Sequence, residues 1–104
     1  MNSNTIASRR LNYRDIDTGT TGQLVVEIYE PYLLQEGMVD FKFSLGTAGC
    51  SIRIKGIGTE YYNHETYGVD TLQALQLASN VESILKRISK KYELFFEDGE
   101  PYFE

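Results

Sequence analysis

The stretch Tyr67–Ala78, YGVDTLQALQLA, decides how the chain reads. Asp70 stands where a helix N-cap belongs, because its carboxylate can accept from the free backbone N–H groups of a first turn. Gln73, three residues on, completes a capping-box pattern. Apolar residues then recur at helical spacing. Leu72, Leu75, Ala78, Val81, Leu85 and Ile88 run down one side, and Ala74, Leu77 and Ile84 widen the stripe. Lys86, Arg87, Lys90 and Lys91 close the pattern, where cations favour the negative end of the helix dipole. The spacing predicts one helix from Thr71 to Tyr92, ~33 Å long at ~1.5 Å per residue.

A stripe that wide needs an apolar partner surface, since burying each large aliphatic side chain contributes ~1.5–3 kcal/mol. Four upstream segments read as strands. Ile6–Arg14 is polar and reads as an edge strand. Leu24–Tyr29 alternates, with Leu24, Val26 and Ile28 on one side. Asp40–Leu45 alternates again and predicts Phe41, Phe43 and Leu45 inward. Ser51–Lys55 places Ile52 and Ile54 inward, Arg53 and Lys55 outward, and gives Cys50 the core-facing parity. Turns fall at DTGTTG (17–22), at Gln35–Gly37, at Gly46 and Gly49, and at Gly56 and Gly58. Pro31 ends or bends the second strand, because it has no N–H to give a ladder. After the helix, Glu93–Phe96 reads as a strand, Asp98-Gly99 as a hairpin turn, and Pro101–Phe103 as a short return. The fold class is therefore α+β: an antiparallel four-stranded meander packed on one long helix, then a short β-hairpin.

The whole chain, 1–104, reads as a single domain. Eight tyrosines and five phenylalanines accompany no tryptophan. The net charge of −5 disfavours nucleic acid, whose phosphates demand cations, and suits a basic partner. Charges come in blocks: Arg9, Arg10 and Arg14 precede six acids in 15–40, and five acids follow Lys91. Neighbouring segments are expected to pair them. A single cysteine cannot make an internal disulfide. No apolar run reaches the ~20 residues of a membrane span, and MNSNTIASRR lacks the apolar segment of a secretory signal. The expected location is cytoplasmic. The polar edge Ile6–Arg14 leaves a homodimer open.

Catalytic constellations are sparse. His64 in YYNHETYG (61–68) is the one histidine, short of the three or four ligands a transition metal needs. Cys50 has only His64 as a possible base, and its parity turns it inward. GTAG (46–49) and GIG (56–58) lack the lysine and strand-to-helix setting of a phosphate loop. The reading is a non-enzyme without metal or cofactor. Two features suit recognition. One is the tyrosine-rich segment before the helix, Tyr61, Tyr62, His64, Glu65 and Tyr67, read as a loop. The other is the tail FFEDGEPYFE (95–104), in which Glu97, Asp98, Glu100 and Glu104 join Tyr102. Carboxylates steer a cationic partner and rings anchor it.

The run YGVDTLQALQLA, preceded by SIRIKGIG (51–58), resembles an uncharacterised family of small bacterial proteins. In that family a strand R-I-x-G leads through a variable loop to Y-G-V-D-[S/T]-x-Q-A-L-x-L-A. RRLNYRD (9–15) is similar in character. The resemblance implies a compact strand-plus-helix domain and brings no established activity or site. The leading expectation is an immunity or inhibitor protein that neutralises a basic, nuclease-like toxin by surface complementarity. The alternative is a ligand-sensing domain with a pocket between helix and sheet near Tyr67 and Gln73. A small enzyme centred on His64 is the third.

Overall fold

The computed structural model describes residues 4–57 and 62–103. Among them, β1 (Thr5–Asp15), β2 (Thr21–Tyr29), β3 (Tyr32–Leu33), β4 (Ala48–Lys55), β5 (Tyr62–Gly68) and β6 (Tyr92–Phe95) form one antiparallel sheet. The two helices are α1 (Thr71–Ser79) and α2 (Glu82–Ile88), and they cover one face. The α+β class is as expected; the six strands are not the expected meander of four plus a hairpin.

Strand order follows from one interruption. Glu30-Pro31 breaks the second strand, and β3 resumes it one step on. Val25–Ile28 and then Tyr32–Leu33 run along the same β4, opposite Ile52–Lys55 and Ala48–Gly49. On its other side β4 pairs with β5 from Ala48↔Gly68 to Ile54↔Tyr62. Both edges of β4 are thus occupied, and Asp40–Leu45 has no ladder to join. This overturns the expected third strand. The segment lies in a loop, with Leu45 103 % and Phe41 44 % exposed. The place predicted for it is taken by YNHETYG, which reads as a loop by sequence but pairs as β5. Its Tyr and Thr residues suit a pleated, half-buried surface.

The expected edge strand holds in part: β1 is bonded to β2 along its length, and on its other side β6 covers only Asn12–Asp15, so Thr5–Leu11 has no second ladder among the described residues. The short edge strand β6 is itself closed by the hairpin return. Tyr102 N–H donates to the Leu94 carbonyl, and Phe95 bridges Pro101 across a turn whose Gly99 sits at φ 92°. A proline on the return blunts that edge.

The long helix is broken, and ends at Ile88 rather than Tyr92. Ser79 Oγ donates back to the Gln76 carbonyl, and the Asn80 N–H turns to the Leu77 carbonyl, a tightened last turn. Asn80 leaves the helical region (ψ 72°) and Val81 drops into the core. The buried stripe is narrower than expected: Leu72 and Leu77 are exposed, while Ala74 and Ala78 are fully buried. Small side chains let α1 come close to the sheet. At Gly68 the approach is tightest, for a Cβ there would lie 2.7 Å from the Ala74 nitrogen. The glycine of the YGVD stretch is therefore a packing requirement. Asp70 caps as expected, accepting from Gln73 N–H at 2.8 Å, and Gln73 Oε1 accepts from Val69 N–H at 2.7 Å.

Leu11, Leu24, Val26, Ile28, Cys50, Ile52, Ile54, Ile84, Leu85 and Ile88 pack between sheet and helices. The β4–β5 pair projects past the end of β1, which draws the molecule out to 47 × 23 × 23 Å. Among the described residues no helix is long and apolar enough to cross a membrane.

Candidate partner-binding surface

Cross-strand neighbours share a face. Since Cys50, Ile52 and Ile54 are buried beneath the helices, Gly49, Ser51, Arg53 and Lys55 lie on the opposite, open face. The register puts Tyr67, Glu65 and Asn63 beside the first three, and Tyr32 beside Gly49 on the other flank.

The tyrosine-rich segment thus divides. Tyr67 and Glu65 stand on the open face. His64 is half-buried on the helix face, opposite Ile52. Tyr62 pairs with Ile54. Tyr61, Gly58 and Glu104 lie outside the described residues. Of the acidic tail, Glu97, Asp98 and Glu100 are exposed in the turn, where Asp98 Oδ1 accepts from Glu100 N–H at 3.0 Å. Tyr102 is drawn inward: its hydroxyl meets Glu82 and Arg9, tying the return to α2 and β1. The two expected recognition segments sit on opposite edges of the sheet, separated by β4, β2 and β1. They do not form one surface.

Cys50 is no nucleophile in this setting. It is fully buried, donates to the Tyr29 carbonyl at 3.1 Å, and burial pushes its thiol pKa up, away from the thiolate. Among the described residues no three His, Cys, Asp or Glu side chains gather as metal ligands. Beside Gln73, Gly68 of β5 lies in close contact with α1.

Three strand carboxylates stand on the open face, and their surroundings differ. Glu93 pairs with Arg14. Glu27 pairs with Lys55 at 2.8 Å and accepts from Thr5 and Tyr29 hydroxyls at 3.3 Å. The Lys55 bond holds the Glu27 carboxyl below its ordinary pKa against the opposing effect of burial. Glu65 is also fixed, accepting from Ser51 Oγ at 2.7 Å and Tyr32 Oη at 2.9 Å. Both partners are neutral hydroxyls, and among the described residues no base pairs with it.

Around Glu65 the rings gather. Tyr32 lies over Gly49, where a Cβ would come within 2.6 Å of the ring. Tyr67 flanks Gly49 from β5 and meets Phe41 edge to face, centroids 5.2 Å apart. Burial pushes the Tyr32 hydroxyl pKa well up, and its bond to Glu65 adds to this. Tyr67 is raised by burial and then by the charges of Glu65 and Asp40, so the local field is negative. In the chain that flanks these strands, Leu45, Val69 and Leu72 are exposed at 103 %, 73 % and 62 %. Sequence reasoning missed Tyr32, Ser51, Gly49 and Phe41 as site residues. Ser51's outward parity was readable; its register against Glu65 was not, because β5 was read as a loop.

No family model, curated protein or solved structure matches the chain.

Proposed function

We propose that the chain is a protein-binding module that acts by covering a cationic protein partner, as an immunity or inhibitor protein covers a basic, nuclease-like toxin. The observation that carries this reading is the exposed Phe41–Tyr67 ring pair on the end of the sheet that holds the hydroxyl-fixed Glu65, with Leu45 and Val69 exposed in the chain segments that flank it. Exposed apolar side chains grouped beside a rim of acids are the pattern of a docking surface. The net charge of −5 and the exposed Glu97, Asp98 and Glu100 supply long-range attraction. The corner gives contact area and the hairpin gives steering.

The test is recovery of the tagged chain from its native cells, identification of the stoichiometric partner, and association kinetics with the purified pair. A partner of high isoelectric point is expected, with an on-rate that falls with salt and falls again when Glu97, Asp98 and Glu100 are neutralised. A neutral or acidic partner, or an on-rate indifferent to salt, contradicts the reading.

A ligand-sensing role has separate support in an open hollow of about 670 Å³ lined by Asn12, Arg14, Glu93, Phe95 and Gly99. A metabolite that binds there raises the melting temperature.

A further inference from the structure

We propose that the Glu65 corner is a receptor for one guanidinium group, presented by an arginine of the partner. The proposal rests on the protein-binding reading above and names the group that reading requires. Three observations carry it. First, Glu65 is held in place by Ser51 and Tyr32 without being neutralised, whereas Glu27 and Glu93 on the same face each have a base from this chain. A carboxylate has about four acceptor positions, so one hydroxyl on each oxygen leaves both oxygens open to an N–H donor. The orienting entropy is already spent in the free protein.

Second, the rings are placed for a planar cation. Tyr32, Gly49 and Tyr67 share one rung of β3, β4 and β5, with Glu65 and Ser51 two residues further along the same face. The Tyr32 ring fills the space above Gly49, which brings it close beside Tyr67, and Phe41 braces Tyr67 from its other side. A guanidinium stacks on aromatic faces and meets a carboxylate with two parallel donors, which an ammonium does not. Third, Arg53, on the same face of β4, is turned to the Tyr29 ring at 5.0 Å, and among the described residues no ion pair forms at Glu65.

The experiment is a titration of the intact protein with acetylated hexa-arginine amide, followed by amide chemical shifts at fixed ionic strength, with hexa-lysine and hexa-glutamate in parallel. Saturating shifts are expected at Gly49, Ser51, Glu65 and Tyr67, stronger for arginine than for lysine and absent for glutamate. Glu65→Gln should weaken hexa-arginine binding about tenfold, while Glu27→Gln, on the same face, leaves it unchanged. Tyr67→Leu should narrow the preference for arginine over lysine. Shifts confined to Glu97–Glu100, or equal affinity in Glu65→Gln with its spectrum otherwise intact, overturn the proposal. Those results leave the protein-binding reading standing. Peptide binding lost in Glu65→Gln together with an unaltered complex with the native partner sustains the receptor but removes this corner from the function.

Discussion

The two ends of the molecule are built on different terms. Where β1, β6 and α2 meet, two ion pairs close within the chain: Arg14 with Glu93, and Arg9 with Glu82, which also meet the Tyr102 hydroxyl. Leu11, Leu85 and Ile88 are buried there, while Ile16 and Phe96 stay exposed at its margin. Where β3, β5, the 34–47 loop and the start of α1 meet, the opposite holds. Leu45, Val69 and Leu72 face water, and Glu65 is fixed by hydroxyls with no base beside it. Sheet and helix are present at both ends, though only α1 has a side-chain cap, from Asp70. One end pairs its strand carboxylate Glu93 with a base of its own chain, and the other leaves Glu65 without one beside exposed apolar side chains.

Substitutions test that contrast most strongly through stability. Leu85→Ala removes a fully buried side chain and should cost about 2–5 kcal/mol. Leu45→Ala, at the outward corner, should stay within about 0.5 kcal/mol. Urea unfolding reads both, and equal costs would erase the distinction between the ends. Next comes Gly68→Ala. The added methyl would press on Ala74 N and Gln73 Cβ, so a loss of about 1–3 kcal/mol is expected. A neutral result would show that α1 does not hold its distance from β5, and that a pocket near Gln73 can open.

The smallest effect is one of pH. Lys55 depresses the Glu27 carboxyl below 4.5, so the pair's contribution is complete above that value and is lost as pH falls through the lower folded value. Glu27→Gln should therefore flatten the acid limb of the stability curve, and it should soften the alkaline limb as well, because Glu27 is the main cause of the raised Lys55 pKa. At the other extreme, Tyr32 is held protonated, and its contribution is complete below about 10 and lost as pH rises further. An acid limb unchanged in Glu27→Gln would mean that the ion pair is not formed in solution.

The alternation of Leu24–Tyr29 and Ser51–Lys55 was legible because each strand has one face under the helices, and a buried face leaves period two in the sequence. Asp70 and Asp98-Gly99 were legible because a cap and a turn are local chemistry. Asp40–Leu45 misled for a related reason: its F-K-F-S-L alternation is real, but β3 and β5 already occupy both edges of β4. Alternation predicts a strand only where a partner is free. The helix break was hidden because the apolar period runs on through Ser79-Asn80, and only the competing hydrogen bonds of those two residues interrupt it. Glu65 was legible as a recognition residue, yet not as a charge without a base. That property depends on register: Ser51 and Tyr32 come to it from strands that no local pattern connects to Glu65.

The central claim is that the corner around Glu65 is the face that meets the partner. Hydrogen–deuterium exchange of the complex, compared with the free chain, tests it most directly. Slowed exchange is predicted in Phe41–Ser51 and Glu65–Leu72, with the amides of α2 unchanged. Protection confined to α2 or to the Asp98-Gly99 hairpin, with the corner exchanging as in the free protein, would contradict it.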